Sequence, residues 1–494
     1  MGMIVNSSST SLKEYRLLPA LTSEASAKNK VSLHSRLCQS PSGYLRLNTP
    51  FVSASMQAVS DARMAIALAR LGGVSVIPVL ADEERQISMV KKVKQYKAGF
   101  QRELITFCPD TPIRRVQESN DTTGYSIYPV TDNGLFHGKL LGVITDKDFD
   151  ALVDLDIPVA ERMKTQLVVA PDGTPLTEAK AIMIETGRGF LPIVSEEGTL
   201  KSVVFRKDLE HHLRFPDANE DSDGRLVVGA AVSTHPQHRS RIPRLIEESA
   251  DFLVIDASDG YSIYQKETIA YIRSLCDTPV IAGNVVTSEA FEYLAEAGAD
   301  GIKVGMGIGS GCITQEAKAT GRGQATALID VVSARDNRVA AGGSYIPIIA
   351  DGGLSSPADI CVALALGADT VMMGNYFAQC TESPGDIYYR DGRAFKKYWM
   401  EGSLQARNLG RYFLGNDENT PADYFAEGVS GWVAHKGSIF DLVPNSCSKL
   451  KASLSSAGCC SIRQLHKSAR LEHQSPVAIG DSSVHNMIKD NEFE

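Results

Sequence analysis

Residues 290–307 read AFEYLAEAGADGIKVGMG, an amphipathic stretch followed by small residues, an Ala-Asp pair, a short apolar strand and a glycine-rich turn. The same order occurs at 242–255 and at 358–373, and the three predicted strands are 252–255, 301–304 and 370–373. Helices that end at a small residue and lead into short, continuously apolar strands are typical of βα units around a parallel sheet buried on both faces. The three stretches therefore predict an α/β fold.

The predicted strands end in glycine or polar residues. Five such ends follow one another along the chain: Asp256-Ala257-Ser258-Asp259-Gly260, Gly283-Asn284, Gly305-Met306-Gly307, Asp351-Gly352-Gly353 and Gly374-Asn375. Glycine allows backbone N–H groups to approach a ligand, and in a (β/α)8 barrel the loops after the strands form the active site. A tight turn explains one such end better than it explains five in succession. We therefore predict a (β/α)8 TIM barrel, with a doubly wound sheet as the weaker alternative.

Length and charge narrow the classes of function. The chain has 494 residues, with Lys+Arg 50 against Asp+Glu 59 and a net charge of −9. This length fits a barrel plus a further module. An acidic chain without blocks of Lys and Arg is a poor nucleic-acid scaffold, and no run of eighteen apolar residues predicts a membrane span. The nine scattered cysteines form no Cys-x-x-Cys motif, which favours a reducing compartment. We expect a cytoplasmic protein, with an organelle such as the glycosome left open.

The order of predicted strands, turns and helices changes between residues 101 and 221. Two stretches there, 105–150 and 167–208, resemble each other: each has an early proline, an apolar strand, an acidic turn and a second strand that runs into a charged helix start. They form an internal repeat of roughly 60 residues, which predicts tandem βαββα modules. The modules resemble a CBS pair (a Bateman domain), a class that commonly binds adenine or guanine nucleotides.

Three domains are thus predicted along the chain. Residues 1–100 form the N-terminal part of the barrel, 101–221 the inserted tandem CBS regulatory domain, and 222–494 the C-terminal part of the barrel with an active-site loop and a flap. The resemblance to CBS modules implies regulatory purine nucleotides of the ATP, GTP or GMP class as partners of the insertion.

Cys312 lies in a glycine-rich loop directly after a predicted strand, within Gly309-Ser310-Gly311-Cys312-Ile313-Thr314. A lone cysteine is more often a small buried hydrophobic residue. Such a loop, however, can hold the sulfur at a partly exposed point, where thiolate character and access decide reactivity. The other eight cysteines lack this setting. Cys312 is therefore the candidate nucleophile.

Together with three further motifs, this loop resembles the IMP dehydrogenase/GMP reductase family over nearly the whole chain. The motifs are Gly321-Arg322-Gly323-Gln324-Ala325-Thr326, Ala350-Asp351-Gly352-Gly353, and Glu401-Gly402-Ser403 with Arg411-Tyr412. Residues 398–403 and 406–408 are similar to the protozoal and clostridial dehydrogenases. The resemblance implies that Cys312 adds to C2 of a purine ring and that hydride passes between C2 and a nicotinamide.

The resemblance also implies how a purine nucleoside monophosphate is held. A phosphate needs backbone donors and hydroxyls, and a ribose diol needs a carboxylate. The implied substrate-binding residues are Met56, Ser310, Asp351, Gly352, Gly353, Gly374, Asn375, Tyr398, Met400, Glu401, Gly402 and Glu427. The implied cofactor-binding residues are Asp256, Ser258, Asn284 and Gly305. The main-chain carbonyls of Gly307, Gly309 and Cys312 are implied to hold a monovalent cation such as K+.

Two reactions are known in this family, and four residues bear on the choice. In an IMP dehydrogenase, which uses NAD, Arg411 beside Tyr412 is implied to activate water while Thr314 orients it. In a GMP reductase, which uses NADPH, Thr314 and Glu427 are implied to assist the loss of ammonia. We favour the dehydrogenase because the chain carries Arg411-Tyr412, and keep the reductase as the alternative. A catalytically inactive nucleotide sensor is a third class, against which the intact Cys312, Thr314 and Glu427 argue.

Three stretches depart from the dehydrogenase pattern. Gly311 replaces the usual Ile before the cysteine, residues 77–80 lack the usual His or Phe, and 481–483 read Asp-Ser-Ser where a Glu-initiated motif of a neighbouring subunit normally helps to bind the cation. The resemblance further implies a homotetramer, with octamers formed through the CBS pairs. No membrane or nucleic acid is expected as a partner.

Overall fold

The computed structural model describes residues 8–96, 100–101, 104–123, 125–150, 153–206, 214–410 and 425–482. The chain divides into two compact units. The first comprises Met1–Lys94, Asp217–Asn219 and Val227–Glu494, and the second comprises Gln95–Pro216 and Glu220–Leu226. Within the described ranges, no helix is long and apolar enough to cross a membrane.

The first unit contains a closed barrel of eight parallel strands. In chain order, β1 to β8 are Phe51–Ser53, Val74–Ile77, Gly229–Val232, Phe252–Ile255, Val280–Val285, Gly301–Val304, Ile348–Asp351 and Thr370–Met373. The helices that follow them in turn are Ala62–Arg70, Glu83–Gln95, Arg241–Glu247, Ile263–Leu275, Ser288–Glu296, Gln324–Ala340, Pro357–Ala365 and Ile439–Ser456. Since β8 pairs with β1, the sheet closes. The predicted (β/α)8 TIM barrel is confirmed, and the doubly wound alternative is wrong.

Further elements surround the barrel. A hairpin is formed by Ser35–Ser40 and Gly43–Leu47, and Tyr15–Leu17 pairs with Leu471–His473. A three-stranded antiparallel sheet is formed by Ile387–Arg390, Arg393–Trp399 and Ser430–Ala434. The remaining helices are Thr314–Lys318, Asn375–Ala378, Leu404–Asn408, Ile462–Ser468 and Pro476–Asp481, with 3-10 turns at Leu12–Glu14, Glu24–Ser26, Lys28–Lys30 and Pro236–His238.

The barrel interior is filled by apolar side chains from the strands. Phe252 and Val254, which alternate along β4, pack with Ile281 and Ile349 in one buried cluster. Leu37 of the hairpin belongs to the same cluster. The core of the first unit therefore extends through the barrel and continues into the hairpin.

The repeated Ala-Asp pairs of the sequence have one structural role, which recurs around the barrel. Each aspartate precedes an even-numbered strand and accepts a hydrogen bond from the main-chain N–H at the start of the strand before it, at 2.7–2.9 Å. Each also pairs with a cation on the helix that precedes that neighbouring strand. The three sets are Asp251 with Val228 and Lys94, Asp300 with Val280 and Arg273, and Asp369 with Ile348 and Arg335. The repeat therefore ties strands to helices at the N-terminal end of the barrel.

The second unit contains two similar halves. In the first, the helix Ile113–Thr123 precedes the antiparallel strands Ile127–Thr131 and Leu140–Thr145. In the second, Ala170–Pro171 and the helix Leu176–Glu185 precede the antiparallel strands Phe190–Val194 and Leu200–Phe205. Each half has its own apolar cluster, and a third cluster with side chains from both halves joins them.

Candidate active site

A cavity of about 630 Å³ lies at the C-terminal ends of the barrel strands. Its walls are the loops that follow the strands, together with the segment after Trp399 and the segment around Glu427. The predicted site residues that line it are Met56, Asp256, Ser258, Asn284, Gly305, Gly307, Gly309, Cys312, Thr314, Asp351, Gly352, Met400, Glu401, Gly402 and Glu427. Residues far apart in the sequence thus meet in one place.

The cysteine loop depends on glycine at its start. Gly305, the first residue after β6, has φ +141, and a Cβ atom there would lie 2.0 Å from the carbonyl oxygen of Asp351. No other residue fits this close approach of the ends of β6 and β7. Further along, the N–H of Cys312 donates to the carbonyl of Gly309 at 3.0 Å, which closes the loop. The local glycine pattern therefore places the sulfur at the edge of the cavity.

The segment around Glu427 pairs with this loop through its main chain. Ile313 donates to the carbonyl of Glu427 at 2.9 Å, and Val429 donates to the carbonyl of Gly311 at 3.0 Å. These two hydrogen bonds bring the Glu427 side chain to Thr314. The sequence signal for this approach is weak, because the segment lies 113 positions away from Thr314.

Four side chains form a hydrogen-bonded chain that starts at the candidate nucleophile. The Sγ of Cys312 lies 3.1 Å from the Thr314 hydroxyl, which donates to Oε2 of Glu427 at 3.2 Å. The Nζ of Lys318 lies 3.4 Å from Oε1 of Glu427. This arrangement can accept a proton from the thiol and pass it toward the partly exposed Glu427–Lys318 pair.

Asp351 forms a polar cluster at the end of β7. The amide of Asn284 donates to Oδ2 of Asp351 at 2.9 Å and to the carbonyl of Gly305 at 2.8 Å. Lys303, whose side chain is buried, lies 3.6 Å from the same Oδ2. The two contacts leave the other carboxylate oxygen available to a ligand in the cavity. A ribose diol is a ligand of matching chemistry.

A second group of predicted residues lies beside the cavity. Tyr398 is buried, shares a hydrogen bond with Ser310, and has its pKa raised to about 12, chiefly by burial. A Cβ atom at Gly374 would lie 3.0 Å from both the Tyr398 hydroxyl and the Met56 sulfur. Gly374 therefore lets the Tyr398 hydroxyl and the Met56 sulfur approach the main chain after β8. Asn375 follows at the start of the helix Asn375–Ala378, where its side chain contacts Gln379.

Met400 explains one departure in the sequence. A Cβ atom at Gly311 would lie 3.0 Å from Cγ of Met400, and one at Gly309 would lie 3.2 Å from its methyl carbon. The space that a larger residue would take at position 311 is thus occupied by Met400. Next in the chain, Glu401 accepts a hydrogen bond from the main-chain N–H of Gln57 at 2.6 Å, which ties this segment to the end of β1.

Three predicted site residues remain, and three further residues at the site were not predicted from the sequence. Arg411 and Tyr412 lie outside the described residues. Gly353 lies next to Gln324, whose side chain donates to the carbonyl of Val304 at 2.9 Å. Lys303 was missed, although a lysine within an otherwise apolar strand is a usable signal. Gln324 and Lys318 were missed because their partners are distant in the sequence.

Fold and site together define a (β/α)8-barrel protein with a cysteine, a threonine and a glutamate joined at the mouth of the barrel. The chain belongs to the IMP dehydrogenase/GMP reductase family, since the model of that domain matches residues 9–485. The family resemblance seen in the sequence is thereby confirmed.

Named relatives come from both branches of the family. Inosine-5'-monophosphate dehydrogenase of Tritrichomonas foetus is 40% identical over 99% of this chain and 98% of its own. The enzyme of the same name from Schizosaccharomyces pombe is 38% identical over 92% of this chain and 88% of its own. Among solved structures, GMP reductase from Trypanosoma brucei in complex with guanosine 5'-monophosphate has a TM-score of 0.85 at 29% identity, with 98% of each chain covered. These relatives are oxidoreductases.

Proposed function

We propose that this protein is an IMP dehydrogenase, which converts IMP, NAD and water to XMP and NADH through a covalent bond between Cys312 and C2 of the purine. The hydrogen-bonded chain from Cys312 through Thr314 to Glu427 is the observation that carries the covalent step, which both reactions of the family share. The identity of 40% with a dehydrogenase over 99% of the chain supports the direction of the reaction.

The proposed first step uses the thiol and its neighbours. Sγ of Cys312 forms a bond to C2, the hydride leaves C2, and the thiol proton moves to Thr314 and on toward Glu427. Asp351 binds the ribose diol, and the group around Tyr398, Ser310 and Gly374 binds the phosphate. Substrate is thus held at both ends while C2 faces the sulfur.

The cavity also has groups that fit a nicotinamide cofactor. Asp256, Ser258 and Asn284 line the cavity with Gly305, and a carboxylate with a neighbouring hydroxyl suits a ribose. When bound there, NAD supplies the acceptor for the hydride. These residues orient the cofactor ribose, and the buried barrel core beneath them limits access of water.

The second proposed step is hydrolysis of the covalent intermediate. Water adds to C2 and the C2–S bond breaks, which returns the sulfur to Cys312. In the family pattern Arg411, beside Tyr412, is the base and Thr314 orients the water. This assignment predicts a separable effect: Arg411→Ala retains the first step but accumulates the covalent intermediate.

GMP reductase is the second candidate, and one observation favours it. Thr314 donates directly to Glu427, the pair that a reductase uses to assist the loss of ammonia from GMP, with NADPH as the hydride source. The likeness to the trypanosomal reductase structure over 98% of both chains supports it.

One assay separates the candidates. Purified protein is supplied with IMP plus NAD, and separately with GMP plus NADPH, and the absorbance of reduced nicotinamide is followed. NADH formed from IMP supports the dehydrogenase, NADPH consumed with GMP supports the reductase, and no change in either would leave a nucleotide sensor. Mass spectrometry of Arg411→Ala with IMP and NAD then measures the covalent intermediate, with Arg390→Ala, an exposed arginine, as the control.

The cysteine loop also fits a monovalent cation bound by main-chain oxygens. The carbonyls of Gly307 and Gly309 accept hydrogen bonds from Gln315 and Cys312, and each keeps a second lone pair. We propose that Gly307, Gly309 and Cys312 bind K+, which would stabilise the loop conformation. Replacement of K+ by tetramethylammonium should then lower turnover, and unchanged turnover would contradict the site.

For the second unit we propose a tandem CBS pair that binds a regulatory purine nucleotide. Its cavity of about 590 Å³ has stacked aromatic rings at Tyr125 and Phe205, and it is lined by Asp146, Lys164 and Arg188. The aromatic rings suit a base, Asp146 suits a ribose, and Lys164 and Arg188 suit phosphates. Calorimetry with ATP, GTP and GMP tests binding, with Arg188→Ala expected to weaken it about tenfold and Arg114→Ala as control.

Light scattering with and without nucleotide tests the proposed homotetramer and octamer.

A further inference from the structure

Lys318 contacts the candidate active site through Glu427. Its Nζ lies 3.4 Å from Oε1, while Oε2 accepts the hydrogen bond from Thr314. We propose that Lys318 is a positioning residue: its ammonium group holds the Glu427 carboxylate so that Thr314 is ready to accept the proton of Cys312. This inference rests on the proposed function and adds to it the residue that fixes the direction of proton transfer.

The helix after the cysteine loop places the two partners of Glu427 on one side. Thr314 and Lys318 are the first and last residues of a five-residue helix. Residues four apart lie on the same face of a helix. The helix ends at Ala319, which has φ 56 and a left-handed conformation. One short helix therefore holds both oxygens of the same carboxylate.

The charge of Glu427 decides which way the Thr314 hydroxyl points. A hydroxyl has one proton, and an ionised carboxylate can only accept. The Thr314 proton is therefore directed to Glu427, and its lone pairs face the Cys312 sulfur at 3.1 Å. A protonated Glu427 could donate instead and reverse this direction. The ammonium group of Lys318, 3.4 Å from the other carboxylate oxygen, holds Glu427 in the position in which it accepts this hydrogen bond.

The position of the pair suits this role better than a role in stability. The side chains of Lys318 and Glu427 are 32% and 24% exposed. Ion pairs with this much solvent contribute little to folding. Other charged or titratable groups that face the same cavity are His235, Asp256, Lys303, Asp351 and Glu401, and Tyr398 is also close to Cys312. All of these stay unchanged in the variants below.

Three variants test the proposal against wild type. Lys318→Met removes the charge, Lys318→Arg keeps it, and Glu316→Gln changes an exposed charge on the same helix. We expect Lys318→Met to lower kcat about fivefold with KM within about twofold, the size expected for loss of a partly exposed ion pair. Lys318→Arg should recover most of the rate, and Glu316→Gln should match wild type.

Alkylation of Cys312 by iodoacetamide gives a readout that does not need turnover. The rate is followed on the Cys312 peptide by mass spectrometry. In Lys318→Met the Glu427 carboxylate is no longer held so that Thr314 can accept the thiol proton, and the alkylation rate should fall about fivefold, as kcat does. Lys318→Arg should keep the wild-type rate.

Two results would overturn the proposal. A Lys318→Met protein with wild-type kcat and a wild-type alkylation rate would show that Lys318 is an ordinary surface lysine. Equal losses in Lys318→Met and Lys318→Arg would show a packing role. Failure of wild type to turn over either substrate pair would instead refute the proposed function, and the alkylation rates would still decide the role of Lys318.

Discussion

Asp369 and Asp351 lie at opposite ends of β7 and use the same carboxylate differently. Asp369 accepts from the Ile348 main chain at 2.9 Å and the Tyr345 hydroxyl at 2.8 Å, and it pairs with Arg335 at 3.4 Å. Its side chain is 6% exposed, whereas that of Asp351 is 22% exposed.

The difference shows that the two ends of the barrel have different roles. At the N-terminal end each aspartate of the repeat is enclosed by donors of the protein, which stabilises the fold. At the C-terminal end Asp351 has donors on one side and the cavity on the other. A carboxylate with part of its bonding capacity directed into a cavity is suited to bind a ligand.

Loss of the Cys312 thiol should remove the function of the C-terminal end without affecting the fold. Cys312→Ala should lower turnover by about 10⁴-fold or more, because the covalent step loses its nucleophile. Circular dichroism and the thermal midpoint should match wild type. Cys460→Ala, a partly buried cysteine that does not line the cavity, is the matched control. Residual turnover near the wild-type rate would remove Cys312 from the mechanism.

Asp369→Ala should lower stability and leave substrate binding nearly unchanged. Three donors lose their acceptor, and the largely buried Arg335 loses its partner at this position, so we expect the free energy of unfolding to fall by about 3–5 kcal/mol. Urea denaturation measures this value, and KM for the nucleotide should change little. Asp351→Ala is the matched variant, for which KM should rise. Its loss of stability, from the buried Lys303 left without its partner, should be smaller because the Asp351 side chain is 22% exposed. Similar profiles for the two variants would contradict the division of tasks.

Gly311→Ile tests the packing of the cysteine loop against Met400 at the C-terminal end. The added side chain would meet Met400, where even a Cβ atom lies 3.0 Å from Cγ. Overpacking of this kind costs about 1–3 kcal/mol, so we expect KM for the nucleotide to rise about tenfold. Combination with Met400→Ala should restore part of the loss in steady-state kinetics. A larger loss in the double variant would place the effect elsewhere.

The smallest effect concerns a structural residue at the functional end. Ser356 accepts from the Asp359 main chain at 3.2 Å and caps the helix Pro357–Ala365. Ser356→Ala should lower the free energy of unfolding by about 1 kcal/mol, measured by urea denaturation, with kcat and KM unchanged. Ser356→Thr keeps the hydroxyl and should retain wild-type stability. A changed KM in Ser356→Ala would extend the substrate site to this cap.

The fold was predictable because its signals are local. The Ala-Asp pairs, apolar strands and terminal glycines recur at each βα unit, and the predicted strands 252–255, 301–304 and 370–373 are those of the structure. The helix ends differ by a few residues: the amphipathic stretch at 290–299 corresponds to a helix that spans Ser288–Glu296. The Thr287 hydroxyl accepts a hydrogen bond from the main-chain N–H of Ala290 and sets the start of this helix. Such a cap leaves no strong signal in the spacing of the apolar residues.

The site was predictable only in part. Cys312 and Asp351 belong to glycine-rich motifs that mark themselves locally. Lys318 carries no such mark, and the local marks of Lys303, a lysine in an apolar strand, and of Gln324, in a glycine motif, do not show their roles, because these arise from partners on other strands or loops. The domain limits, the CBS assignment and the roles of Arg411 and Tyr412 stay predictions.

By itself the sequence determined that the chain forms βα units, where their strands end, and that a cysteine stands in a glycine loop after one of them. These features depend on neighbours within a turn or a strand, so a linear pattern contains them. Only the tertiary structure decided that Glu427 meets Thr314 across 113 positions, that Met400 occupies the space beside Gly311, and that Lys318 faces the same carboxylate. Such contacts form when the barrel closes and brings distant loops to one end, and no local periodicity encodes them.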